Sequence, residues 1–369
     1  MTTEGEYARL GVDYADMQEF KEDMGILRLM TRSFPLRRNV FIDEDGDPEY
    51  VGAHPPVRWR QFPEGLGQKN IAADLMDVYV YEPNHVRSFY HEIAIDTLRM
   101  ATNDAIARGY RPVTYADHIA APNSAWFRYR QRNKGIISGF YEACRADDIA
   151  LVGGESAALP LLGLHTAELS GTVLGFIPYG QRPVTGRNLA AGDVIIGVPS
   201  SGAHSNGSTL IINRAERLSH QGFMVKLPNG HTLGKDFLVP TRSYVQLVEM
   251  LLDAGVDVHA LQPVTGGGVG KIAVNPLPFT YRIHSWPDVP VIFQFMREIG
   301  VTLFDCLTTF NWGIGFCIFV ADSPNAIDQV LAIGLNAGHH LTVIGRVEAG
   351  ERKVVFEPEG GIEIPPPGL

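Results

Sequence analysis

A short polar loop between an apolar run and a helical pattern is the feature that most constrains the fold of this chain. The run 193–198 is apolar enough for a buried strand, and apolar residues recur at helical spacing over 209–218. The loop between them ends in His204, Ser205, Asn206 and Gly207. A strand, a turn and a helix start present backbone N–H groups and partial positive charge, which suit an anion such as phosphate. An ordinary turn capped by Ser205 or Asn206 is the simpler interpretation.

Helical and strand patterns alternate in both halves of the chain, which predicts an α/β or α+β fold. At 369 residues the chain is long enough for two domains. The stretch 179–193 contains Pro183, Gly186 and Gly192, a composition typical of a linker. We therefore expect an N-terminal segment (1–60), a first domain (61–180), a second domain (190–350) and a tail (351–369).

Charge and cysteine usage restrict the class of ligand and the compartment. The net charge of −10 argues against non-specific nucleic-acid binding, which requires Lys and Arg to neutralise phosphates. The cysteines Cys144, Cys306 and Cys317 lack the spacing of a zinc cluster or a disulfide framework, which fits a reducing cytoplasm. We expect Cys144 and Cys317 to be core residues. No segment approaches the roughly 20 apolar residues of a membrane helix, so we expect a cytoplasmic protein without a membrane partner.

A glycine pair precedes an acid in the segment 151–157. An apolar run leads into Gly153 and Gly154, and Glu155 follows. We expect a strand that ends at the glycines, which lets a ligand approach the backbone and delivers the carboxylate to the edge of a sheet. A tight turn with a surface Glu is the alternative.

Polar residues interrupt the helical pattern over 92–109. Asp96, Asn103 and Asp104 lie among apolar and small residues. Buried acids require partners, and a hard cation with oxygen ligands is one such partner. A helix with one solvated face is the alternative.

Two glycine-rich segments complete the candidates. The segment 64–69 contains Glu64, Gly65, Gly67 and Lys69, which could hold a metal and a phosphate together, although the pattern alone is weak. The segment 265–270 is a second glycine-rich turn and lacks the spacing of a dinucleotide fold.

Seven motifs occur in a fixed order along the chain, at 64–69, 103–104, 151–155, 200–207, 240–244, 265–268 and 309–315. Together they resemble the phosphoribosylformylglycinamidine cyclo-ligase family, also called aminoimidazole ribonucleotide (AIR) synthetases. The similarity extends from about residue 60 to residue 347. It is most specific in the loop around His204 and in the segments that contain Pro240, Gly266 and Phe310.

The resemblance implies a two-domain fold with a C-terminal α/β sandwich and a homodimer in which the N-terminal strands of two copies form a barrel. It also implies ATP and Mg²⁺ as cofactors and a phosphoribosyl intermediate as the small-molecule substrate. Phosphoryl transfer from ATP would activate the formyl-amide oxygen, and an amidine nitrogen would then close the ring.

The resemblance also assigns roles by position. It makes His204, Lys69 and Asp104 catalytic residues, with Lys69 meeting phosphate, and it matches Asp96 to a family acid of less defined role. The implied magnesium ligands are Glu64, Asp104 and Glu155. The implied nucleotide-binding residues are Glu64, Gly65, Gly67, Asn103, Glu155, Ser205, Asn206 and Gly207.

The chain departs from the family pattern at two places. The family has Asp and Thr where this chain has Glu64 and Gln68, and its glycine-rich flap over the ATP phosphates has no counterpart in 25–60. Two alternatives therefore stay open. One is a divergent paralogue acting as an ATP-dependent small-molecule kinase or synthetase, and the other is a non-catalytic nucleotide-binding homologue.

Overall fold

The structure is a computed structural model that describes residues 14–42, 48–50, 57–80 and 87–367. It divides into two compact units. The first contains the described residues up to Ala105 together with Arg111–Gly180. The second contains Ile106–Tyr110 together with the described residues from Gln181 onward.

The first unit combines helices with a small two-stranded sheet and a larger four-stranded sheet. Its helices are α1 (Tyr14–Thr31), α2 (Lys69–Tyr79), α3 (Tyr90–Ala107, whose last two residues belong to the second unit) and α4 (Arg130–Asp147). Its strands are β1 (Val40–Ile42), β2 (Pro48–Tyr50), β3 (Arg58–Gly65), β4 (Arg111–Ala121), β5 (Ala150–Ala158) and β6 (Glu168–Ile177).

The larger sheet has the strand order β3-β6-β4-β5. β4 and β5 are parallel, and α4 supplies the long crossover that parallel neighbours need. β6 runs antiparallel to both β3 and β4. Phe140 of α4 packs against Tyr115 of β4 with ring centroids 5.8 Å apart, so α4 covers one face of the sheet.

Helix α3 confirms the helical pattern predicted over 92–109. Ile93, Leu98 and Ala101 are fully buried, as their spacing predicts. Gly109 has φ +76° and follows the end of the helix, where this conformation favours glycine.

The second unit is built on a seven-stranded sheet with the order β13-β12-β9-β11-β7-β10-β8. Its strands are β7 (Val194–Pro199), β8 (Val258–Pro263), β9 (Phe279–Ile283), β10 (Ile314–Val320), β11 (Thr342–Ala349), β12 (Lys353–Phe356) and β13 (Ile362–Ile364). Its helices are α5 (Ser208–Leu218), α6 (Leu233–Phe237), α7 (Val245–Asp253), α8 (Val291–Glu298), α9 (Leu303–Thr309) and α10 (Pro324–Asn336).

The core of the second unit lies between its sheet and two helices. Val194, Ile196 and Val198 alternate along β7 and therefore share one face. They belong to one buried apolar cluster with Leu247 of α7 and Val330 of α10. The mixed α/β class predicted from the alternating patterns is confirmed.

Two expectations were wrong, one about where β5 ends and one about the C-terminal stretch of the chain. β5 continues through Gly153, Gly154 and Glu155 to Ala158, because its pairing with β4 continues to that residue. Glu155 therefore lies within an edge strand and not at the end of a strand. The stretch from 351 onward, expected to be a tail, contributes β12 and β13 to the sheet.

The described part of the chain bears on two further expectations. All three cysteines are free and buried, which confirms Cys144 and Cys317 as core residues. Within the described ranges, no helix combines the length and apolarity needed to cross a membrane. Residues 43–47 and 51–56, part of the region without a flap motif, lie outside the described residues.

Candidate functional site

Four of the sequence motifs meet where the ends of β7 and β8 adjoin the start of β10 in the second unit. β7 and β8 both run antiparallel to β10, so the ends of β7 and β8 lie beside the start of β10. The segments that follow or precede these strands are 200–207, 265–268 and 309–315. The segment 240–244 joins them, because Ser201 Oγ donates to the Pro240 carbonyl and Tyr244 Oη donates to the Pro199 carbonyl at 3.1 Å. We call these four segments the loop site.

Gly207 directly precedes helix α5 and has no side chain to cap it. Its φ of +71° is in the left-handed region that favours glycine. A Cβ at this position would also overlap the ring of Phe310. No side chain caps the start of α5, and a helix N-terminus of this kind can bind an anion.

The Ser205 side chain is a buried polar group of the loop site. Ser205 is 8% exposed, and its Oγ has no hydrogen-bond partner among the described residues. Asn206 Oδ1 lies 3.9 Å from where a Cβ of Gly266 would be, and nothing else comes within 4 Å of that position. A buried hydroxyl beside an open helix start suits a ligand with hydrogen-bond acceptors.

His204 holds the loop in shape. It is 3% exposed and has φ +56°, an uncommon conformation for a residue other than glycine. Its Nε2 accepts a hydrogen bond from the Ser201 N–H at 3.2 Å, which assigns the ring proton of the neutral imidazole to Nδ1. A Cβ at Gly315 would lie 2.6 Å from His204 Cε1, so the ring needs a glycine beside it.

Asn311 joins two of the segments, although its sequence position gave little sign of this role. Its side chain is fully buried. Nδ2 donates to the Gly202 carbonyl at 2.8 Å. Oδ1 accepts from Ser200 Oγ at 3.0 Å and from the Gly313 N–H at 2.9 Å. The only sequence signal was its place in the 309–315 motif, since hydrogen bonds between distant segments leave no periodicity.

The loop site contains buried rings and a guanidinium group, and the ring of His339 adjoins it. The Tyr244 ring centroid is 6.3 Å from that of His204 and 5.8 Å from that of His339. Burial and the nearby Arg242 guanidinium lower the pKa of His339 to about 4, so this imidazole is neutral at physiological pH. Arg242 therefore provides positive charge here, and sequence reasoning assigned it no role.

In the first unit, Lys69 and Asp96 are brought together. Lys69 Nζ lies 2.6 Å from Asp96 Oδ2, and neither side chain is exposed. The pair joins the first residue of α2 to α3. The acid in the helical pattern thus has the partner that its burial requires. The phosphate role of Lys69 stays a prediction.

Glu64 and Glu155 are kept apart by the sheet. Glu64 lies in one row of paired residues with Gly171, Asp117 and Gly154, whereas Glu155 lies in the next row, with His118. Successive rows point to opposite faces, and three strand spacings separate the edge strands by roughly 14 Å. Metal–carboxylate distances are about 2–2.6 Å. Within one chain these two carboxylates therefore cannot share an ion.

The resemblance implies Glu64, Asp104 and Glu155 as magnesium ligands, but within one chain the three do not meet at a single ion. Among the described residues, no group of three or more His, Cys, Asp or Glu could hold a metal. Asp104 is half-buried in the last turns of α3, beside the buried Asn103. The individual roles of all three acids stay predictions.

The glycines near these acids have different surroundings. Gly67 has φ +75° and open space around it, and a Cβ at Gly65 would lie 3.3 Å from Glu168 Oε1. A Cβ at Gly154 would overlap the carboxyl group of Asp117, whereas Gly153 has nothing within 4 Å. Gly154 is therefore required by packing, while Gly67 and Gly153 leave the backbone accessible.

Two family profiles match the chain. The profile described as AIR synthase related protein, N-terminal domain, matches residues 67–177. The profile described as AIR synthase related protein, C-terminal domain, matches residues 190–357.

Curated relatives carry a common name. The phosphoribosylformylglycinamidine cyclo-ligase of Methanothermobacter thermautotrophicus is 33% identical over 281 residues, covering 75% of this chain and 77% of the relative. The protein of the same name from Methanococcus vannielii is 32% identical over 349 residues, covering 93% and 92%.

Solved structures share the fold. The hydrogenase maturation protein HypE matches with a TM-score of 0.59 and 16% identity, covering 90% of this chain and 95% of that chain. Thiamine-monophosphate kinase from Stenotrophomonas maltophilia matches with a TM-score of 0.59 and 21% identity, covering 89% and 94%. HypE in complex with ATP matches with a TM-score of 0.57 and 13% identity, covering 89% of each chain. At these identities the similarity shows the fold alone.

The two profiles together cover most of the chain, and the relatives exceed 30% identity over 75% of it or more. The seven ordered motifs agree with this assignment. The chain therefore belongs to the AIR synthase related protein family of enzymes.

Proposed function

We propose that this protein is an ATP-dependent cyclo-ligase of purine biosynthesis that acts in the cytoplasm and closes formylglycinamidine ribonucleotide to aminoimidazole ribonucleotide. The names of relatives more than 30% identical support this substrate. The observation that carries the proposal is the unpartnered, buried Ser205 hydroxyl at the uncapped start of α5. A reaction between two phosphate-bearing ligands needs such fixed donors.

The loop site supplies donors and shape. Ser205 Oγ and the backbone N–H groups at the start of α5 would bind phosphate oxygens. His204 would act as a positioning residue, because its Nε2 is occupied by the Ser201 N–H. Asn311 would keep the 200–207 and 309–315 segments at a constant separation. Fixing both ligands in this way lowers the entropic cost of ring closure.

ATP and Mg²⁺ are compatible with the residues present. When bound, ATP supplies the phosphoryl group that activates the amide oxygen for loss as phosphate. Mg²⁺ is commonly held by one or two carboxylates together with phosphate oxygens. We assign Asp104 and Glu64 as candidate carboxylate ligands of Mg²⁺, without requiring that both bind the same ion. Lys69 would act by neutralising Asp96.

The proposal is tested by incubating the purified protein with ATP, MgCl₂ and formylglycinamidine ribonucleotide. We expect ring-closed product, ADP and phosphate in equal amounts. Ser205→Ala removes one donor to a charged group, worth about 1.5–3 kcal/mol, so KM should rise roughly tenfold or more. Ser323→Ala is the matched control, because Ser323 also precedes a helix and its side chain makes no capping hydrogen bond.

Other outcomes would reject the proposal. A phosphorylated product that accumulates without ring closure would favour the kinase or synthetase alternative. If calorimetry shows no binding of ATP with Mg²⁺ at millimolar concentration, both the cyclo-ligase function and the kinase or synthetase alternative are rejected.

We propose that the protein is a homodimer joined through the sheet of the first unit. β3 and β5 are the edge strands, and Arg58, Trp59, Arg60 and Gln61 of β3 are all exposed. Unpaired edges favour pairing with another strand. Light scattering should give twice the mass of one chain. A monomer at micromolar concentration would contradict this assembly.

A further inference from the structure

The last described residues pack on the glycine-rich segment of the loop site. The ring of Pro367 occupies the space where a Cβ of Gly267 would lie, and the Pro365 carbonyl oxygen is 2.6 Å from the Cβ position of Gly270. Gly267 has φ +96°, so both its backbone conformation and its neighbour require glycine. The segment 365–367, part of the stretch expected to be a tail, therefore packs against the rest of the second unit.

The glycine-rich segment is held from the other side as well. A Cβ at Gly268 would lie 2.5 Å from the Leu307 carbonyl oxygen and 2.7 Å from that of Phe310. Phe310 in turn packs against Gly207 at the start of α5. The backbone of 267–268 therefore lies between the segments 307–310 and 365–367. Gly266 directly precedes this backbone, and its open side is toward Asn206.

The C-terminal segment is suited to restrict the motion of this glycine-rich backbone. Ile364 is fully buried and pairs with Val354, so the sheet anchors the chain immediately before the prolines. Each proline has a fixed φ and loses little conformational entropy on ordering. The segment lies beyond residue 357, where the family profile ends.

We propose that residues 365–367 are a brace that holds Gly267 in place, keeps Gly266 beside Asn206 and thereby positions the loop site for its ligand. This inference rests on the proposed function for the ligand, but the packing that it invokes does not. Without the brace, Gly267 loses its contact with Pro367, and the glycine-rich backbone samples more conformations. Ligand affinity should fall, since the loop must then be ordered on binding.

The test compares deletion of residues 365–369 with deletion of 368–369, a matched control that retains the three prolines. Hydrogen exchange is measured on the ligand-free chains. We expect exchange of the 265–268 amides at least tenfold faster in the longer deletion, with β10 unchanged. KM for ATP with Mg²⁺ and for the ribonucleotide should rise severalfold, with a smaller change in kcat. The shorter deletion should match the full chain.

Gly267→Ala tests whether the contact is direct. In the full chain the new Cβ meets Pro367 and a strained φ, whereas in the longer deletion only the strain persists. The two changes should therefore be non-additive in KM, with the deletion recovering part of the loss. Additive effects would overturn the brace.

The remaining outcomes separate this inference from the proposed function. Unchanged exchange at 265–268 would overturn the brace even if the full chain closes the ring. Faster exchange with unchanged KM would overturn its role in positioning. A full chain without ring closure would reject the proposed function, and the exchange measurement would still decide the brace.

Discussion

Lys69 and Asp96 form an ion pair in which both side chains are fully buried, with Nζ 2.6 Å from Oδ2. Lys69→Met or Asp96→Leu alone would leave a buried charge without this partner. Each should lower the free energy of unfolding by about 3–5 kcal/mol. The double variant should lose much less than the sum, because no unpaired charge is left. Urea unfolding of the four proteins measures this coupling. A Lys69→Met protein as stable as the wild type but without turnover would favour a phosphate role instead.

Asp117 should make stability depend on pH. It is 4% exposed, and burial raises the pKa of its carboxyl to about 7, with Glu155 adding to the shift and Arg28 opposing it. The Asp117 carboxyl of the folded state therefore keeps a proton that the unfolded state releases above about pH 4. The associated stability is fully present below pH 3.8 and is lost as pH rises through about 7.

Asp117→Asn isolates this contribution. In the wild type, the free energy of unfolding should decrease by at most about 1.4 kcal/mol per pH unit across that window on account of this group. The difference between wild type and variant, from unfolding curves at pH 4 to 8, should show this slope. A difference independent of pH would contradict the assignment.

The glycines of β5 should respond differently to alanine. Gly154→Ala places a Cβ against the Asp117 carboxyl group and should cost about 1–3 kcal/mol of stability. Gly153→Ala meets open space and should change stability by less than about 0.5 kcal/mol. Thermal unfolding gives the comparison. Loss of ATP binding in a stable Gly153→Ala protein would support the expected approach of a ligand to this backbone.

Asn311→Leu should disturb the loop site more than the small change in side-chain volume suggests. The change leaves the Gly202 carbonyl and the Gly313 N–H without their partner, at about 1–3 kcal/mol for each buried group. Ser200→Ala removes one of the three hydrogen bonds and should cost about 0.5–1.5 kcal/mol. Denaturant unfolding and ligand titration should rank the variants in this order. Equal effects would contradict the central role of Asn311.

The sequence by itself determined several of the local elements and the family. Helix α3 and the β7–α5 unit follow from the spacing of their apolar residues, since periodicity is a property of neighbouring positions. The ordered motifs were sufficient to indicate the loop site, because glycines and capping residues mark turns directly.

Only the tertiary structure decided which distant residues meet. Strand order and register put Glu64 and Glu155 on opposite edges and faces, although both stand beside glycines in the sequence. Packing paired Lys69 with Asp96 and laid Pro367 on Gly267. These contacts arise from pairing and burial between segments far apart in the chain, and no local pattern of residue types encodes them.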